Sequence, residues 1–153
     1  MKDLSFRAAT IADLPILLAF EQGIIQTERP FNKTLKPDPI SYYDIEAMII
    51  ASDTEMIVAV LGEEIIGSAY MTIKAAKPYK KHAFFAYLGF MYVKPTYRGK
   101  GINGRIIAEL KRLAKAKGIG EMRLDVYHDN QPAVRAYRKA GFSRHLVDMR
   151  MEI

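Results

Sequence analysis

Cysteine is absent from the 153 residues. Disulfide staples, thiolate metal sites and a cysteine nucleophile are therefore excluded. No uninterrupted apolar run approaches the roughly 20 residues of a membrane span, so no membrane-spanning helix is expected. The first ten residues, MKDLSFRAAT, hold no long apolar core. No signal peptide is expected there, and the expected compartment is the cytoplasm. Internal repeats, low-complexity tracts and interdomain linkers are also missing. The length then fits one domain, residues 1–153. The three histidines stand in no metal-ligand spacing, so no metal is expected.

An acidic balance is missing too: the formal net charge is +6. Such a surface suits nucleic acid, a membrane or an anionic small molecule. The basic residues are spread along the chain, with local clusters at 74–81 and 112–117. A solvated basic surface explains them, and so does a ligand with several phosphate charges. Neither a nucleic-acid nor a membrane partner is expected.

The most informative stretch reads YLGFMYVKPTYRGKGINGRIIAELKRLAKAK, residues 87–117. An apolar run ends at Val93. A turn with Pro95 and Arg98-Gly99-Lys100-Gly101 follows. Ile102, Ile106, Ile107, Leu110, Leu113 and Ala114 then recur at helical spacing. Gly118 suits the helix C-terminus. The order is strand, Gly-rich turn, helix. The first amides of a helix have no intrahelical partner and lie at its positive end. Glycines let a phosphate approach the backbone, and Arg98 and Lys100 add charge. The stretch therefore fits a pyrophosphate. A P-loop, GxxxxGK[ST], is absent. Gly99-x-Gly101-x-x-Gly104 satisfies GxGxxG, a pattern that decides nothing alone.

VKPTYRGKGINGRII resembles the cofactor signature of the GNAT superfamily of acyl-CoA-dependent N-acetyltransferases. The signature [RQ]-x-x-G-x-[GA] is read here as Arg98-x-x-Gly101-x-Asn103, met at its first two fixed positions. Asn103 stands where the family has Gly or Ala, with Gly104 beside it. A second stretch, Asn130-x-Pro132-Ala133-x-x-x-Tyr137-x-Lys139-x-Gly141-Phe142, resembles the family's NxxAxxxYxKxGF.

In chain order, residues 4–7 read as a strand. Thr10 with Asp13 forms a capping pattern before a helix carrying Leu14, Leu17 and Leu18, which fades near Gln26. Residues 27–40, with Pro30, Pro37 and Pro39, read as a loop. Ser41 with Asp44 is a second capping pattern, ahead of Tyr42, Ile45, Met48 and Ile49. Alternation at Met56, Val58 and Val60, then a turn at Gly62, then residues 65–73, predicts a hairpin. Residues 74–82 connect to a strand over 84–93, where Gly89 marks a bulge or a close approach to a ligand. Met122, Leu124 and Val126 alternate as a strand. Asn130 caps a helix that Gly141 stops. Val147, Met149, Met151 and Ile153 alternate as a last strand. The order, β-α-α-β-β-β then α-β-α-β, predicts a mixed α/β layer architecture. It matches the GNAT fold: a mostly antiparallel sheet with a splayed parallel pair and helices on both faces.

The resemblance implies acetyl-CoA as co-substrate and direct transfer of its acetyl group to the primary amine of a small-molecule or peptide acceptor. Four tasks follow. The amides of Arg98, Gly99, Lys100, Gly101, Ile102, Asn103 and Gly104 would hold the pyrophosphate. The backbone of Met91, Tyr92 and Val93 would meet the acetyl and pantetheine portions. Asn130 would contact the pantetheine, and Tyr137 would act as general acid toward the departing thiolate. The family often carries a Glu on the strand before the phosphate loop as base; between Phe84 and Val93 there is none. Tyr87, Tyr92, His82, Asp125 and His128 remain open for that task. By resemblance Glu28, Arg29 and Phe31 face the acceptor, together with Tyr87. Family dimers are common, so a homodimer is compatible. The alternative is a non-catalytic acyl-CoA-binding regulatory module of the same fold.

Overall fold

A computed structural model describes residues 3–153. Strand β1, Leu4–Ala8, leads into a 3-10 turn, Ile11–Asp13. The Thr10 amide and hydroxyl donate to Asp13 Oδ2 at 2.8 and 3.1 Å. Arg7 grips the same carboxylate with two bonds, 2.7 and 2.9 Å. Helix α1, Leu14–Glu28, follows with Pro15 in its first turn, where no amide partner is lost. It runs past Gln26 and is prolonged by a 3-10 turn, Arg29–Phe31, so the loop expected from residue 27 begins later. Helix α2, Ile45–Ile50, is capped by Asp44, whose Oδ1 accepts from the Ala47 amide at 3.1 Å. Ser41 is not the cap.

Strands β2 (Thr54–Leu61), β3 (Glu64–Ala75) and β4 (Phe84–Val93) form an antiparallel meander beside β1. Helix α3, Ile102–Ala116, returns the chain to β5, Met122–Arg123, which pairs with β4 in parallel. The sheet order is β1-β2-β3-β4-β5. Helix α4, Gln131–Lys139, is capped by Asn130, whose Oδ1 accepts from the Ala133 amide at 3.3 Å.

Each sheet face carries its own core. Ile102, Ile106, Leu110 and Ala114 of α3 pack with Ile57, Ala59, Ala69, Met71, Ala86 and Leu88. Leu17, Phe20 and Ile24 of α1 and Ile45 of α2 pack with Met56, Val58, Tyr70 and Phe90. Full burial of a Leu, Ile or Phe is worth about 1.5–3 kcal/mol, so helices are fixed on both faces.

Strand alternation alone would put Phe90 with Ala86 and Leu88. It sits on the opposite face because β4 is bulged. Phe90 and Met91 together face Ala69, between the pairs Tyr70↔Gly89 and Ser68↔Tyr92, and Phe90 has φ 55°. Ser68 Oγ is buried and donates to the Phe90 carbonyl at 3.2 Å. Gly89 does not carry the positive φ. It is required by a neighbour, since a Cβ there would lie 2.6 Å from the Tyr70 ring.

Two expectations fail at the C-terminal end. β5 stops at Arg123 rather than reaching Val126, which is exposed. The last strand does not form: Val147, Met149, Met151 and Ile153 are exposed on irregular backbone. With only two residues in β5, the sheet offers no edge long enough to pair with. Arg150 instead donates to Thr34 Oγ1 at 2.9 Å.

Candidate active site

The site is built around the place where two parallel strands part. β4 pairs with β5 only at Ala86↔Met122 and Tyr87↔Arg123. Beyond that point β4 continues to Val93 with no ladder on this side, so its backbone there opens into a wedge. The bulge at Phe90 and Met91 lies within this unpaired stretch. Met91 and Val93 pack toward α3, while the Tyr92 ring turns to the other face, 4.5 Å from Phe20. Gly23 of α1 admits that ring; a Cβ there would lie 2.7 Å from it.

β4 ends in a 3-10 turn, Pro95–Tyr97, pinned to β3 by Glu64. Glu64 accepts from Lys94 Nζ at 2.7 Å and from Tyr97 Oη at 2.6 Å. Lys94 first, then Tyr97, holds the Glu64 carboxyl below its usual range. Arg98 Nε donates back to the Val93 carbonyl at 3.0 Å, which leaves its guanidinium over the Tyr92 ring. Gly99 and Gly101 have φ 74° and 77°, a conformation in which any Cβ is strained. α3 starts at once after Gly101, with no side-chain cap and no acidic residue in its first turn. α2 and α4 are capped by Asp44 and Asn130; α3 presents its first amides uncapped.

A cavity of about 420 Å³ opens over those amides. Val93, Arg98, Gly99, Gly101, Ile102, Asn103 and Gly104 line one wall, and Ala136, Lys139 and Ala140 of α4 line the other. A Cβ added at Gly99, Gly101 or Gly104 would meet nothing within 4 Å. The glycines thus keep the surface of the loop open. Lys100 lies over the ring of Tyr97, a further lining residue, 5.2 Å from its centroid. Lys139 was not singled out from the sequence. Its signal was the motif position two residues after Tyr137, which one helical turn places beside the loop.

Tyr137 is half-buried, with Phe142 edge-on to its ring at 6.1 Å. Burial, and then the charge of Glu28, push its hydroxyl up to about 12. It therefore keeps its proton across the physiological range. The side-chain oxygen of Asn130 caps α4.

A second cluster is aromatic. Phe31 stacks on Tyr127 at 6.3 Å, and Asn32 Nδ2 donates to Tyr127 Oη at 2.9 Å. Tyr42, Tyr43 and Tyr70 follow edge-to-face at 5.9 and 5.7 Å. Tyr87 Oη donates to Asp125 Oδ2 at 2.7 Å. Glu28, at the end of α1, is held above its usual range by burial, with Tyr42 opposing that shift. Its charge in turn raises Tyr42, Tyr43 and Tyr137, each after the larger effect of burial. Glu28 thus acts electrostatically on Tyr137. Arg29 is turned away into its own loop, bonding the Lys36 carbonyl at 2.9 Å and pairing with Asp38. His82 lies against Gly120, and the recorded contact of His128 is through its carbonyl, to Gln131. Among the described residues no group of three or more His, Asp or Glu is gathered to hold a metal ion. No helix among them is long and apolar enough to cross a membrane.

Residues 22–142 match the model of the acetyltransferase (GNAT) family. Over 55 residues the chain is 44% identical to thialysine N-epsilon-acetyltransferase of Sus scrofa, covering 36% of this chain and 32% of that one. Over 51 residues it is 39% identical to streptothricin acetyltransferase of Streptomyces lavendulae, covering 33% and 27%. The matched stretch thus spans about a third of the length of these curated relatives. Two solved structures share the fold. One is a predicted acetyltransferase with acetyl-CoA from Clostridium acetobutylicum, at TM-score 0.72, 21% identity and coverage of 97% and 96%. The other is an aminoglycoside antibiotic 6'-N-acetyltransferase from Acinetobacter baumannii, at TM-score 0.72, 19% identity and coverage of 98% and 99%.

Proposed function

The chain belongs to the GNAT acetyltransferase family, and from that premise we propose that residues 1–153 act as one catalytic domain that moves the acetyl group of acetyl-CoA to a primary amine. The observation that carries this reading is the uncapped start of α3, reached through two glycines of positive φ and facing Lys139 across the cavity.

Bound there, acetyl-CoA supplies an activated acetyl thioester. The amides of residues 98–104 and the charges of Arg98 and Lys139 hold its pyrophosphate. The open wedge of β4 takes the pantetheine arm. Free strand amides near Met91 and Tyr92 donate to the thioester oxygen as negative charge grows on it. The acceptor amine attacks directly, with no covalent enzyme adduct. Tyr137 Oη donates a hydrogen bond to the departing sulfur. A thiol ordinarily titrates near 8.5, so complete transfer of the Tyr137 proton would be uphill by about 5 kcal/mol. Tyr137 therefore serves as a hydrogen-bond donor rather than a full acid. Asn130 acts by capping α4, which carries Tyr137 and Lys139.

Thermal unfolding with acetyl-CoA, against ATP and NAD, tests the reading. A ligand at 100 times its Kd adds about 2.7 kcal/mol of stability. A selective rise with acetyl-CoA is expected, followed by thiol release with a primary amine. Binding without turnover over a wide amine panel would favour the regulatory module. No rise at millimolar acetyl-CoA would overturn both.

A further inference from the structure

Among the described residues the buried polar and charged side chains are Asp13, Glu21 and Ser68. The first two serve the local fold. Asp13 accepts from Arg7 and Thr10, and Glu21 accepts from the Tyr42 and Tyr43 amides at 3.1 and 2.9 Å. Ser68 sits inside β3, fully buried, and its hydroxyl donates to the Phe90 carbonyl at 3.2 Å. Phe90 is the residue with φ 55°, a conformation that a bulky side chain rarely adopts. Such a conformation persists only where the surroundings over-determine it. Here the Phe90 ring is buried in the α1 core, and Ser68 fixes the carbonyl. The neighbouring Gly67 lets β4 come close, since a Cβ there would lie 2.7 Å from the Tyr92 carbonyl oxygen.

This grip determines where the next amide points. A trans peptide is planar, and its C=O and N–H point in opposite directions. The Phe90–Met91 peptide is trans. Ser68 holds the Phe90 oxygen on the β3 side, so the Met91 N–H points away from β3. On that side β5 has already parted, because its last pair with β4 is Tyr87↔Arg123. The Met91 amide therefore faces the wedge with no ladder partner.

Resting on the acetyl-transfer reading, we propose that Ser68 is a positioning residue for that reaction: by holding the Phe90 carbonyl it aims the Met91 amide at the thioester oxygen of acetyl-CoA. Ser68 touches neither cofactor nor acceptor and acts through one peptide unit. As the amine attacks, an electron pair of the C=O bond moves onto the oxygen. The Met91 N–H then donates to the charge that grows there, and no proton or electron passes through Ser68. Such a donor works best when it needs no reorientation during the reaction. A Phe90 carbonyl released by Ser68 lets the peptide rotate. A misplacement of about 1 Å is enough to cost about 100-fold in rate.

Isotope-edited infrared difference spectra test this, with carbon-13 at the acetyl carbonyl of acetyl-CoA. The variants are S68A, S68C and L110A, the last a fully buried core residue of α3 away from the bulge. In wild type the bound carbonyl band should lie below that of the free thioester in water, because an aimed N–H weakens the C=O bond. S68A should lose most of that displacement. S68C, with a weaker donor of similar size, should keep part of it. L110A should keep all of it although it unfolds earlier. Acetyl-CoA affinity, read from unfolding midpoints, should change less than about threefold in the Ser68 variants. Acetyl transfer to hydroxylamine, a small amine already neutral at pH 7, should slow about 10- to 100-fold in S68A. If S68A does not fold, S68C against wild type decides. An undisplaced band in wild type, equal bands in wild type and the folded Ser68 variants, or an equal loss in L110A would overturn the proposal. Failure of wild type to bind acetyl-CoA, or to transfer its acetyl group at all, strikes the acetyl-transfer reading instead, and this inference falls with it.

Discussion

Single side chains decide both the chemistry and much of the stability. Tyr137→Phe removes the hydroxyl and keeps the ring against Phe142. It is expected to lower kcat by about 10- to 100-fold, below the full range for general acid catalysis, because Tyr137 does not surrender its proton. Acetyl-CoA affinity should change less than about threefold, as titration of the unfolding midpoint will show. Asp13 makes a stability prediction. Arg7 first, then the Thr10 hydrogen bonds, hold its carboxyl down to about 2. A depressed pKa stabilises the fold above the unfolded value, near 3.9, and that stability is lost as pH falls through about 2. The linkage is of order 2 kcal/mol, reduced in practice because Arg7 is half-exposed. Asp13→Asn should therefore destabilise by about 1–2 kcal/mol at pH 7, and the difference should vanish near pH 2 in denaturant titrations.

At the scale of elements, the start of α3 separates two glycines of opposite use. Gly101 has φ 77°, so Gly101→Ala should cost about 1 kcal/mol or more and weaken acetyl-CoA binding as well. Gly104 sits inside α3. Gly104→Ala should stabilise the apo protein by about 0.5–1 kcal/mol, yet still weaken acetyl-CoA binding if the amide there meets a phosphate. Denaturation with and without the cofactor reads both signs. These elements were also the most legible. Strand, Gly-rich turn and helix follow from residues 84–118 because propensity, periodicity and caps agree locally. Asp44 and Asn130 announced their helices by residue type. Gly89 reads as a bulge or a close approach to a ligand; the bulge begins one residue later, because the positive φ falls on Phe90, a residue that does not advertise it, and the neighbour that crowds Gly89 is the Tyr70 ring. Glu28 was expected at the acceptor side by resemblance, but its link to Tyr137 depends on α4 docking far along the chain. No local pattern encodes that.

For the molecule as a whole, two cores on opposite sides of one sheet leave the last residues outside both. Val147, Met149, Met151 and Ile153 alternate like a strand, but a strand needs an edge, and β5 supplies two residues. Removing residues 143–153 should therefore change the unfolding free energy by less than about 1 kcal/mol. Leu110→Ala, inside the α3 core, should cost about 2–5 kcal/mol. Urea titrations of the two variants make the comparison. The net charge of +6 was legible, but its distribution was not. Arg98 and Lys139 border the glycine loop, while Glu21, Glu28 and Asp125, which form no ion pair among the described residues, lie among tyrosines.

That tyrosine tract has an optical consequence. The chain has nine tyrosines and no tryptophan, so no indole collects the excitation energy. Rings of Tyr42, Tyr43 and Tyr70 only 5.7–5.9 Å apart exchange excitation and emit as a group. Tyr87, bonded to Asp125, is dimmed by the neighbouring proton acceptor. Breaking that bond would restore its light, so the protein's own ultraviolet emission reports whether Tyr87 and Asp125 are joined.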